Sequence, residues 1–364
     1  MYLALRDLRF AKGRFVLMGG VVALITLLLV LLSGLTAGLG NQSTSALAAL
    51  PADQIVFGAP AGDSATASFT ESEVTRGQWS QWAAREGVAQ AELLGISQSR
   101  FQAVGPAGTP TGTASVAVFG TDGTSLAPAP LAEGTVVVGS SLAEELELRA
   151  GSLATVGGTE LTVSAVVPDQ WYSHTGVVWT TLADWRTLAH ITGREAAATV
   201  IAVTSEDGQT LDAAAANAAA GTVSTTRDGS FQALGSYKSE NGSLLLMQAF
   251  LYGISALVIV AFLTVWTVQR TRDIAVLKAL GGSSGYVLKD AMVQAAIVLL
   301  AGAATGGAAG VAGGVLAAGA APFLLTPQTI LLPVAGIVVL GLAGAALAVR
   351  SITRVDPLLA LGGN

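Results

Sequence analysis

Cysteine is absent from this sequence, which excludes disulfides, thiol nucleophiles and cysteine metal sites. Histidine is nearly absent: His174 and His190 are the only two, too few for a histidine-rich metal centre. Charge is scarce as well. Charged residues make up 12% of the 364 positions, against roughly 25% in an ordinary soluble domain, and that deficit points to lipid contact. No Walker P-loop, G-x-S-x-G or H-E-x-x-H motif occurs, so the chain is expected not to be an enzyme. Any ATP hydrolysis linked to it must come from a partner. No intrinsic cofactor and no nucleic-acid partner are expected.

What the sequence does have is length in its apolar runs. Four stretches reach the roughly 20 residues of helix that cross a bilayer core: 15–38, 244–268, 291–318 and 330–349. The first follows a basic start, as a signal peptide would. Its apolar run is longer than the roughly 7–15 residues of a signal-peptide core, so it reads as a retained span. Many of the 44 glycines lie inside these runs, as they do where membrane helices pack closely.

Charge asymmetry orients the spans. The short segments 1–14, 269–290 and 350–364 hold ten Lys/Arg and four acids, whereas the 39–243 segment holds eight Lys/Arg and twenty acids. The positive segments are placed in the cytoplasm. Both termini are therefore expected inside a plasma membrane, with the large segment outside it.

The outer segment reads as an α+β domain on membrane-proximal stalks, inserted between the first and second spans. β-rich runs are predicted at 54–57, 115–119, 135–138, 161–167, 176–180 and 199–203. Helices are predicted at 71–85, capped by Thr70 with Glu73 in the box position, and at 142–148, 184–191 and 208–220. Segments 58–68 and 105–114 read as loops. Trp171 and Trp179 are expected in a core, and His190 on an apolar helical face.

Two inner segments carry more than topology. Residues 1–14 place Arg6, Arg9 and Lys12 at helical spacing beside Leu3, Leu5, Leu8 and Phe10, an amphipathic helix for the lipid interface. In 269–290, Ile274, Leu277 and Leu280 share a face, with Arg272, Asp273 and Lys278 beside it and Gly281-Gly282 as a stop. A short amphipathic helix of this kind suits docking into a groove on a soluble partner.

That stretch, Arg270-Thr-Arg-Asp-Ile-Ala-Val-Leu-Lys-Ala-Leu-Gly-Gly-Ser, resembles the motif after the second span of the FtsX/MacB family of ABC transporter permeases, with Asp273 where Glu is usual. The C-terminal Arg354-Val-Asp-Pro-Leu-Leu-Ala-Leu361 and the exterior segment 140–167 are similar to family patterns too. The resemblance implies a MacB-like topology of four transmembrane helices. It also implies a second copy of the chain and two copies of a cytoplasmic ATPase that docks on Arg272, Asp273, Ile274, Leu277, Lys278 and Leu280. Trp171-Tyr-Ser-His174 and the stretch Ser236–Met247 resemble the heme-exporting permeases, the HrtB type.

Heme as cargo needs an apolar slot and iron ligands such as His, Met, Tyr or a carboxylate. Tyr237, Glu240 and Met247 fall on one stripe if the helix of the second span begins early. A carboxylate at the outer edge of a bilayer is costly unless it is paired or functional. Tyr172 and His174 are the second pair of candidates. Two other readings remain open: a non-transporting transducer of the cell-division FtsX class, and export of a peptide, a lipoprotein or another lipophilic substrate.

Overall fold

The computed structural model describes residues 12–58, 66–105, 108–123, 125–191, 193, 195–209, 211–269 and 283–352. The chain divides into two compact units, Met1–Leu39 with Gly242–Asn364, and Gly40–Asn241.

In chain order the elements are α1 (Lys12–Ala48), β1 (Gln54–Gly58), β2 (Val74–Thr75), α2 (Arg76–Ala83), β3 (Val88–Val104), β4 (Pro110–Gly120), β5 (Thr135–Gly139), α3 (Ser140–Glu145), β6 (Leu153–Val156), β7 (Thr159–Val167), β8 (Trp171–Tyr172), β9 (Thr175–Thr180), α4 (Leu182–Leu188), β10 (Ala196–Ala198), β11 (Val200–Ser205), α5 (Ala213–Ala220), β12 (Thr222–Thr226), a 3-10 turn (Gly229–Ala233), α6 (Gly235–Gln269), α7 (Ser284–Ala317) and α8 (Pro327–Ile352). The class is therefore an α-helical membrane protein with an α+β domain inserted after its first span. Four helices are long and apolar enough to cross a bilayer: Phe15–Ala48, Gly235–Trp266, Lys289–Ala317 and Pro327–Ala348.

The inserted unit is a mixed sheet in the order β12-β1-β11-β3-β4-β9-β5-β7-β6. The 17-residue β3 serves it twice. Its first half pairs with β11, and its second half pairs with both β4 and β6. The β3–β6 pairing closes a ring of six strands, which removes two sheet edges. Strand periodicity then sends alternate residues into two cores. Val136 and Val138 enter one with Phe101, Val116 and Trp82. Val137 enters the other with Phe57, Phe119 and Trp179. Burial on both faces is why these strands read as unbroken apolar runs.

Several expectations change here. The helix predicted at 71–85 begins only at Arg76. Thr75, not Thr70, is its cap, and Gln78, not Glu73, completes the box. The segment 71–75 instead provides β2, which pairs with β10. The helix predicted from Asp184 begins at Leu182 because Thr181 accepts the Asp184 amide, and it ends at Leu188. His190 thus lies beyond it, exposed, at φ 54°, and not on an apolar helical face. The loop predicted over 105–114 gives up its second half to β4. Trp179 is buried as expected, whereas Trp171 is only half-buried.

The membrane unit is held together differently. Its buried cluster joins Met18, Val22 and Leu29 of α1 with Ile259 and Leu263 of α6, Val298 and Leu299 of α7 and Ile337 of α8. Helix α7 lays Gly302, Gly306 and Gly310 against the backbone of α1. A Cβ at Gly306 would stand 2.2 Å from the Ala23 carbonyl oxygen, and one at Gly302 would stand 2.8 Å from that of Gly19. Only a residue without a side chain permits that approach. Between α7 and α8, Phe323 wedges its ring against Gly34 and Gly314, and the Leu324 amide donates to the Gly34 carbonyl at 3.1 Å.

Candidate functional site

Three segments of the inserted unit converge: the last turns of α1, the β8–β9 hairpin and the first turns of α6. The hairpin pairs Trp171 with Gly176 and Tyr172 with Thr175, leaving a loop of two residues, Ser173 and His174. Both have positive φ, 50° and 65°. That is the backbone of the tight hairpin turn that normally takes Asn-Gly. For residues with a Cβ it costs on the order of 1–2 kcal/mol each.

Main-chain bonds to α1 offset this strain. The Trp171 amide donates to Ser45 Oγ at 2.8 Å. The Ser173 and His174 amides donate to the carbonyls of Ser43 and Gln42, both at 3.0 Å.

The turn carries the His174 ring to Glu240. Nε2 lies 3.0 Å from Glu240 Oε2 and 3.1 Å from Ser43 Oγ. A lone pair on Nε2 would face a carboxylate oxygen, so the pairing places the proton on Nε2, donated to Glu240 and shared with Ser43. Both side chains remain about one third exposed, 36% and 31%. An ion pair so exposed contributes roughly 0–1 kcal/mol, less than the strain of the turn. A second contact runs parallel to it, Ser173 Oγ to Ser236 Oγ at 3.1 Å.

The two candidate groups read separately from the sequence, Tyr172/His174 and Tyr237/Glu240, thus fall in one place. Helix α6 does begin early, at Gly235, so the stripe through Tyr237 and Glu240 is helical. Tyr237 sits edge-on to Phe231 at 6.2 Å and packs against the second core. Tyr172 is buried in that core, edge-on to Phe69 and Phe119 at 5.9 and 5.4 Å. Burial pushes the Tyr172 phenol above its ordinary range, so its hydroxyl stays protonated at neutral pH.

Met247 belongs to the membrane unit and is 55% exposed. The expected coupling residues Arg272, Asp273, Ile274, Leu277, Lys278 and Leu280 lie outside the described residues, as does the start of the segment 1–14. Among the described residues no three His, Asp or Glu side chains gather as a metal site would require.

Ser43 escaped sequence reading altogether. It sits in a polar stretch, Asn41-Gln-Ser-Thr-Ser45, that ends an apolar helix. Nothing in its spacing relates it to a histidine 131 positions later.

The family model described as a MacB-like periplasmic core domain matches residues 15–220, and the FtsX-like permease C-terminal model matches 245–357. A protein of Staphylococcus epidermidis named as a hemin transport system permease, HrtB, is 28% identical over 144 residues, which are 40% of this chain and 41% of that one. A protein of the same name from Staphylococcus haemolyticus is 30% identical over 130 residues, 36% and 37% of the two chains. An ABC transporter permease of Mycobacterium tuberculosis is 30% identical over 128 residues, 33% and 34%. The chain thus spans well under half the length of these curated relatives. Among solved structures, the periplasmic region of MacB from Actinobacillus actinomycetemcomitans aligns at 14% identity with a TM-score of 0.35, covering 49% of this chain and 90% of that one. With more than half of its length matched by the periplasmic core model and its last three spans by the permease model, the chain belongs to the MacB/FtsX-type family of ABC transporter permeases.

Proposed function

We propose that the chain is the membrane subunit of an ABC exporter, a homodimer driven by two copies of a separate cytoplasmic ATPase, and that its cargo is heme taken from the membrane. The observation that carries the cargo is the meeting of Glu240 with His174 beside Tyr237, on a helix that continues as an apolar span. Relatives named for hemin transport support the same reading.

The chemistry divides the roles. Iron(III) prefers an anionic oxygen. Glu240 supplies a carboxylate directly, whereas a phenol such as Tyr237 must first lose its proton. Glu240 is therefore the primary iron ligand and Tyr237 the weaker one. Met247 is the further proposed ligand; the second pair of candidates stays off the iron in this reading, since Tyr172 is buried in the core and His174 is paired with Glu240.

ATP binding and hydrolysis act through Arg272, Asp273, Ile274, Leu277, Lys278 and Leu280. Both termini and this segment are cytoplasmic, and residues 39–243 are outside.

The test is a hemin titration of the purified protein in nanodiscs. Wild type should give a Soret band. Glu240→Ala should shift or weaken it, and the triple change Tyr237→Phe, Glu240→Ala, Met247→Ala should weaken it strongly. An unaltered spectrum in the triple variant removes the site. A wild type with no Soret band removes heme and leaves the transducer reading. Orientation is checked in the cysteine-free background: a cysteine at exposed Ser125 reacts with an impermeant maleimide in whole cells, and one at Ser284 does not.

A further inference from the structure

We propose that His174 is a releasable tie between the ends of α1 and α6, and that it competes with the cargo for Glu240. The inference rests on the reading of Glu240 as a cargo ligand.

The hairpin belongs to α1. Its three amide bonds all end on Gln42, Ser43 and Ser45. The hydrogen bonds it shows to α6 among the described residues run through side chains, His174 to Glu240 and Ser173 to Ser236. Main-chain fastening on one side and exposed side-chain contacts on the other make α6 the partner that can leave.

His174 is also built for two positions. Its single Nε2–H is shared between Glu240 and Ser43. When Glu240 departs, Ser43 remains as the acceptor, so the imidazole loses no hydrogen bond. A residue meant only to orient Glu240 would be buried and have one partner; this one is exposed and has two.

Occupancy of Glu240 by an electrophilic centre would therefore remove the α1–α6 tie, and restoring the tie would help to expel the ligand. The site would thereby report its own loading to the two helices that enter the membrane.

The test uses the full chain in nanodiscs. His174→Ala should raise hemin affinity about two- to fivefold, the gain expected from deleting a weak competing ion pair, and His174→Gln, which keeps an N–H donor, should return it toward wild type. In the cysteine-free background Ser173→Cys with Ser236→Cys replaces two hydroxyls 3.1 Å apart and leaves His174 and Glu240 intact. Its oxidised form should bind hemin more weakly than its reduced form, and dithiothreitol should reverse the loss. If His174→Ala lowers affinity, the residue positions Glu240 and does not compete with the cargo. Equal binding by the oxidised and reduced forms overturns the tie. Amide exchange without any ligand keeps the two readings apart: His174→Ala should speed exchange in residues 236–241 several-fold even if hemin never binds, and unchanged exchange there also overturns the tie.

Discussion

The inserted domain and the membrane unit solve the packing problem with opposite residues. In the domain the largest side chains do the filling: Trp82, Trp179, Phe57, Phe101 and Phe119 are all buried to within 1% of completely. In the membrane unit the smallest do it, as Gly302, Gly306 and Gly310 bring α7 onto the backbone of α1. The difference follows from the solvent. Water drives apolar bulk out of contact with itself, so a domain in water gains by burying rings. Lipid offers no such drive between helices, and close backbone approach supplies the attraction instead.

Four substitutions test this contrast, in falling order of effect. Gly306→Leu should prevent assembly of the membrane unit, because even a Cβ at 306 meets the Ala23 backbone. Size-exclusion chromatography in detergent should report aggregation, while near-ultraviolet dichroism of the domain's tryptophans persists. An unperturbed chromatogram would break the comparison. Trp179→Ala should do the reverse. It should lower the stability of the domain by about 3–5 kcal/mol, read by denaturant melting, and leave the helical bundle intact.

Raising the pH gives the third test. Burial raises the Tyr172 phenol above its ordinary value of 10.0. Between that value and the folded-state one, only the unfolded chain ionises. Domain stability should therefore fall as pH climbs above 10, and Tyr172→Phe should remove part of that fall. The smallest effect is Thr75→Ala, which deletes the cap of α2 at a cost of about 1 kcal/mol, visible only as a slight lowering of the melting temperature.

The architecture was legible because membrane and charge signals are long. A run of twenty apolar residues cannot be mistaken for a core strand, and six strands announced themselves by β-branched runs. Local competition hid the rest. Thr70-x-x-Glu73 and Thr75-x-x-Gln78 both have capping-box spacing, and pairing of β2 with β10 decided between them. The first half of β3, Val88–Leu94, alternates Gln90 and Glu92 with alanines, residues of low strand propensity. It is a strand because β11 pairs with it. The candidate site was half legible: Glu240 and His174 each drew notice as chemistry, but their meeting depends on a strained Ser-His turn that favours a different dipeptide.

Phe323 has a kinematic consequence for the bundle. Its ring is keyed between Gly34 and Gly314, and the glycines of α7 key that helix to α1. Helix α8 is interlocked with α7 where Leu299 fills the space at Gly341. Those three helices move as one raft. Helix α6 is the outrigger. Its apolar window is 11% buried against 28–44% for the others; it touches α8 through Tyr252 at Gly336 and Val260 at Gly344, and α1 through Gln248 to Thr36 and Trp266 to Phe15. Within this unit, a stroke that slides one element past the rest has the least contact to break if it slides α6.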